Sequence, residues 1–211
     1  MKLYCSPGAC SLAPHICLRE ADRRFDLERV DLETHRTSSG ADYLSINPRG
    51  SVPALQLDGS SSDVLAGVSA IVQYIADLAP EKHLAPPNGT FARYQLQSWL
   101  EYIATEIQEQ FHPLFHAPTE SVAAHLRGKI SGRFTYLEDV LSDRGFLMGE
   151  RFTVADAYLF VMLQWSDKLG IELQLYPNLD DYEFRVSQRP AVYAAIAAEG
   201  LRGRHHWKKS A

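Results

Sequence analysis

Apolar and polar positions change rhythm about a third of the way along the chain. Leu3–Cys5 is a short apolar run that predicts a strand. Leu12 and Ile16 then follow helical spacing to about Ala21, with Ser11 placed as N-cap and Pro14 tolerated in the first turn. Phe25, Leu27, Val30 and Leu32 stand among charged residues, so 25–32 reads as a second strand. A polar stretch, Glu33–Gly40, leads to a short helical turn at Tyr43–Ile46. A rigid turn with two prolines, Asn47–Pro53, feeds a strand over 54–57. Asp58-Gly59 and the serines behind it mark a hairpin to a short strand at Val64-Leu65. Val68, Ile71, Val72 and Ile75 place a helix over 67–78. The order is βαβ, then a β-hairpin and a helix.

Ala79 to Gly89 has the composition of a linker, and beyond it the rhythm is helical only. Leu96, Trp99, Leu100, Ile103, Ile107 and Phe111 form one i, i+3, i+4, i+7 stripe. Further helices are predicted over 120–141, from Phe152-Thr153, over 179–188 and over 191–199. Thr153 and Asp156 have capping-box spacing. Gly145–Arg151 is a turn between helices, not a phosphate-cradling loop.

Charge and composition narrow the function. A net charge of −5 over 211 residues leaves no broad footprint for nucleic acid, and the basic tail at Arg202, Arg204, Lys208 and Lys209 reads as a solvated end. No apolar run has the ~18 residues of a membrane helix. The opening run is too short and too soon interrupted for a signal peptide, which predicts a cytoplasmic location. Three cysteines, Cys5, Cys10 and Cys17, do not make a disulfide framework. Cys5, Cys10 and His15 lack a second group of ligands, so no metal is expected.

Cys10 carries the candidate chemistry. It follows a Pro7-Gly8 turn and stands at a helix start, where unpaired N–H groups and the helix dipole favour an anion. The expectation is a lowered pKa and a thiolate near neutral pH.

Three motifs carry a resemblance. Pro7-Gly8-Ala9-Cys10-Ser11, Asn47-Pro48-Arg49-Gly50-Ser51-Val52-Pro53-Ala54-Leu55 and Phe152-Thr153-Val154-Ala155-Asp156-Ala157 occur in this order over nearly the whole chain. Together they resemble the cytosolic glutathione S-transferases, and the bacterial beta class in particular. The resemblance implies α/β plus all-α architecture. A thioredoxin-like N-terminal domain (βαβ-ββα, residues 1–79) and a linker (80–89) are followed by an all-helical C-terminal domain (90–211). It also implies glutathione as co-substrate, a cis Val52-Pro53 bond, and a homodimer acting in detoxification.

The same resemblance assigns roles. Cys10 would face the glutathione sulfur, and Val52 and Pro53 would offer backbone to its cysteinyl part as a sheet edge does. Gly67 and Val68 occupy the helix start that holds the γ-glutamyl group, where the family's usual acid is absent. His35 stands where a lysine often meets the glycyl carboxylate. Glu101 and Gln108 replace an asparagine and a histidine on one face of the first helix of the second domain. Glu106 would reach a partner subunit's ligand. Phe111, Phe115 and Trp165, with Tyr102 as a neighbour, would wall the pocket for a hydrophobic electrophile. The implied reaction is conjugation of glutathione to an apolar electrophile. The alternatives are thiol–disulfide exchange through Cys10 and a non-catalytic binding role.

Overall fold

The computed structural model describes residues 1–59, 63–116 and 118–203. Ser60–Ser62, behind the Asp58-Gly59 turn, and the basic positions Arg204, Lys208 and Lys209 lie outside them.

The first part is a sheet of five strands in the order β3-β2-β1-β4-β5. β1 (Lys2–Cys5) runs parallel to β2 (Asp26–Asp31) and antiparallel to β4 (Ala54–Gln56). β5 (Val64–Ala66) closes the hairpin on β4 with Leu55 opposite Leu65. The strand that apolar rhythm does not announce is β3 (Arg36–Thr37), inside the stretch expected to be irregular. It has two residues, both polar, and exists by pairing Val30 with Thr37 and Asp31 with Arg36.

Two helices cover one face: α1 (Leu12–Glu20) and α2 (Val68–Leu78). The other face carries a small cluster of Tyr4, Val30, Tyr43, Val52 and Ala54. Ser11 occupies the N-cap position of α1 but makes no side-chain cap to the helix. Its hydroxyl instead donates to the Ser6 carbonyl and accepts from the Ser6 N–H, both at 3.2 Å, closing the turn before the helix.

The helical part begins with α3 (Phe91–Tyr102), capped by Thr90, whose hydroxyl accepts from the Arg93 N–H. The expected single stripe to Phe111 is interrupted. Ile103–Gln108 is π-helical, and the short α4 (Glu109–Phe111) follows. A π-turn adds a residue per turn and rotates what comes after it. α5 (Glu120–Val140), α6 (Val154–Lys168), α7 (Pro177–Ser187) and α8 (Pro190–Glu199) complete the bundle. α6 is buried continuously from Val154 to Leu163, the mark of a central helix. At its start the Asp156 carboxylate accepts from the N–H groups of Leu147 and Thr153 and from the hydroxyls of Thr153 and Tyr182.

One apolar core runs through both parts, because α1 packs on α6 and α8 as well as on α2. Arg93 ties down the segment between α2 and α3. Its buried guanidinium holds both oxygens of Asp77 on α2, at 2.8 and 2.9 Å, and the Pro86 carbonyl at 3.1 Å.

Candidate functional site

The Cys10 turn and the turn before β4 meet where β1 ends and β4, its antiparallel neighbour, begins. Cys10 Sγ lies 3.3 Å from the Val52 carbonyl, to which its thiol donates. The Val52-Pro53 bond is cis, as the resemblance implied. The turn leading to it is fixed at Ser51, whose carbonyl accepts from the Tyr43 hydroxyl at 2.8 Å and from the Asn47 amide at 2.7 Å. The Val52 N–H has no acceptor among the described residues.

Cys10 is not the expected thiolate. Burial pushes its pKa up to about 11. The N–H groups at Cys10 and Ser11 and the side chain of Gln108 act against burial without overcoming it. The helix start supplies donors, but loss of solvent dominates. Cys5 and Cys17 are fully buried structural thiols, and burial moves Cys5 to about 12.

Gln108 stands at the end of the π-helical segment and faces Cys10. The buried Tyr158 of α6 donates its hydroxyl to Gln108 Oε1. With that oxygen taken as acceptor, the amide NH₂ is the group left to point at the sulfur. Burial raises the Tyr158 pKa well beyond its ordinary value, so its hydroxyl remains a donor. Glu101 does not accompany Gln108. It is exposed on α3, because the π-turn between them breaks the two-turn spacing that would have aligned them. Glu106 is ion-paired with Arg133 of α5 in its own chain.

His35 has a left-handed backbone, φ 52°, and its ring lies against Gly50. A Cβ at Gly50 would stand 2.8 Å from His35 Cε1, so glycine is what lets the ring approach that turn. His35 Nδ1 is buried and has no hydrogen-bond partner among the described residues. Gly67 is the N-cap of α2 with φ 97° and ψ 133°, a conformation in which glycine is at ease and other residues are strained. Val68 begins the helix, and its N–H belongs to the first turn, which has no intrahelical acceptor.

The apolar wall differs from expectation at Phe111. Its ring is fully buried against Phe134 and, edge-on, against Trp165 at 5.9 Å. It backs Trp165 and does not line an open pocket. Phe115 is 44% exposed and meets Trp165 edge-on at 5.1 Å. Tyr102 belongs to a separate aromatic group with Trp99 and Tyr136.

The helical part grips the cysteine turn at Gly8. Trp165 Nε1 donates to the Gly8 carbonyl at 2.8 Å, and the Gly8 N–H donates to Glu199 of α8 at 2.9 Å. The other Glu199 oxygen lies 2.9 Å from Nδ1 of the buried His15. Arg19 Nε donates to His15 Nε2, so the ring proton is on Nδ1 and goes to Glu199. Neither this network nor Tyr158 was anticipated. The partners lie up to 191 residues apart, and a lone histidine on an apolar helix gives no local sign of its acceptor. Among the described residues no group of three or more His, Cys, Asp or Glu could hold a metal ion.

Comparison with known proteins agrees with the architecture. Residues 8–78 match the family model for the glutathione S-transferase N-terminal domain, and residues 102–190 that for the C-terminal domain. The chain is 41% identical over 203 residues to glutathione S-transferase GstA of Escherichia coli O157:H7, covering 96% of this chain and 100% of that protein. It is similar to BphK, a bacterial glutathione S-transferase solved as a ternary complex, with 48% identity and a TM-score of 0.93 over 95% of this chain and 100% of that one. It is also similar to a sphingomonad glutathione S-transferase solved with glutathione, with 45% identity and a TM-score of 0.90 over 96% and 100% of the two chains. With both domain models matched in order and relatives of this identity along their full length, the chain belongs to the glutathione S-transferase family.

Proposed function

We propose that this protein is a glutathione transferase that conjugates the tripeptide to a small electrophile. The observation that carries the reading is the meeting of Cys10 with the Val52 backbone, 3.3 Å apart, beside a Val52 N–H that has no acceptor among the described residues. An extended peptide would pair with that backbone as an added strand. Its sulfur would then lie among the Cys10 thiol, the Gln108 amide and the N–H groups at the start of α1. In the reaction the glutathione thiol gives its proton to solvent and its sulfur bonds to carbon. The leaving group departs with its electron pair. Donors set in advance around the thiolate stabilise it without having to titrate.

In this reading His35 meets the glycyl carboxylate through the part of its ring that is not packed against Gly50. Gly67 and Val68 present the N-terminus of α2 to the γ-glutamyl carboxylate. Phe115 and Trp165 offer the wall for the acceptor, with Phe111 behind them. The glutathione domain spans 1–79 and the helical domain 90–211, joined by 80–89. Glu106, on the π-helical segment beside Arg133 of α5, would serve the ligand of a second subunit in a homodimer working in detoxification in the cytoplasm. No helix among the described residues is long and apolar enough to cross a membrane. Thiol–disulfide exchange is disfavoured by the pKa of Cys10, about 11, since the attacking species is the thiolate.

Retention on glutathione-agarose and glutathione-dependent arylation by 1-chloro-2,4-dinitrobenzene are the expected results. Absence of both would overturn the reading. Light scattering of the purified protein at twice the chain mass is expected for the dimer.

A further inference from the structure

A second feature lies beside the Cys10 turn. Between the starts of α1 and the ends of α6 and α8 is a cavity of about 120 Å³. Its floor is apolar, formed by Leu12, Trp165, Ile196 and Leu201. Its rim holds two cations, Lys168 and Arg202, both exposed. No carboxylate among the described residues pairs with either. Asp167 shares the lining but has a partner of its own. Gly8 leaves room for Lys168 beside the turn: a Cβ there would stand 3.0 Å from Lys168 Nζ and 3.4 Å from Leu201.

We propose that this cavity binds a small aromatic carboxylate, with its ring on the Trp165 floor and its charge between Lys168 and Arg202. An apolar cavity of about 150 Å³ suffices for benzene. At about 120 Å³ this one is smaller, so a single ring enters part-way and keeps its charged end at the rim. Two cations against one carboxylate, that of Asp167, leave the rim net positive, which favours an anion over a neutral ring of the same shape. The floor includes the indole that grips Gly8, two residues from Cys10. The carboxylate-bearing molecule is therefore also the preferred acceptor, a point that rests on the transferase reading, whereas binding itself does not.

The test is calorimetric titration of the whole protein with benzoate and with benzyl alcohol. Benzoate is expected to bind at least about tenfold more tightly. Lys168→Ala and Arg202→Ala, both at exposed positions, are each expected to weaken benzoate about three- to tenfold and leave benzyl alcohol unchanged. Equal affinities for the two probes, no benzoate binding, or variants that bind benzoate as the parent does would each overturn the proposal. Conjugation of 4-chloro-3,5-dinitrobenzoate separates the two readings. A KM raised in Lys168→Ala for this acceptor, but not for 1-chloro-2,4-dinitrobenzene, supports both. Benzoate binding with neither acceptor conjugated would sink the transferase reading and leave the site standing.

Discussion

At neutral pH a thiol with a pKa of about 11 keeps its proton, so Cys10 enters the site as a hydrogen-bond donor and not as a nucleophile. Alkylation by iodoacetamide, followed by intact mass, is expected to be slow at pH 7.5. It should climb steadily as the pH approaches 11, because the reactive form appears only as the proton leaves. Fast modification at pH 7 would contradict this assignment. The same residue scale explains the missing acid at the head of α2. Gly67 has φ 97° and ψ 133°, where a side chain costs ~1–3 kcal/mol. Gly67→Glu is therefore expected to lose about that much stability in urea unfolding. Calorimetry of that variant should show no gain in glutathione affinity, because the strained backbone must move before the new carboxylate can be placed.

Among the elements, those with a sustained rhythm were legible in the sequence and those held by distant partners were not. α2 follows from apolar spacing within a residue at each end, since the face that packs is the face that repeats, and α5 and α8 also fall within a residue of the expected ends. β3 left no trace, because its two polar residues become a strand only by pairing with β2. The π-helical turn at 103–108 was equally silent, and it decides which side chain reaches Cys10. Of the site, Cys10, Val52 and Gln108 could be named from local motifs and resemblance. Tyr158, which aims Gln108, could not, because 50 residues separate them. Between elements, the Arg93–Asp77 pair joins α2 to α3, and its test is at this scale. Asp77→Ala leaves the guanidinium buried without its acid and is expected to cost ~2–4 kcal/mol in denaturant unfolding. The double variant with Arg93→Leu should recover part of that loss, because it removes the stranded charge as well.

Across the whole molecule, the cysteine turn belongs to the first part by sequence and to both parts by contact. Gly8 gives its carbonyl to Trp165 and its N–H to Glu199, and Glu199 is anchored in turn by His15. Trp165→Phe keeps an aromatic ring on the floor and removes the indole N–H together with one of its two rings. It is expected to raise the KM for glutathione about three- to tenfold, the worth of one hydrogen bond with a modest change in order. Thermal unfolding of that variant should move by only a few degrees. A large fall in stability with unchanged KM would show instead that the bond serves folding and not the site. This grip has a consequence for recombination. A chimera joining residues 1–79 to the helical domain of another relative would inherit Cys10 and the Val52 turn intact. It would still present them correctly only if the incoming helices bring an indole and a carboxylate to the same two points. Crossovers that respect the domain boundary would then fail as often as they ignore Gly8, and exchanges that carry α6 and α8 together with the first ten residues would succeed.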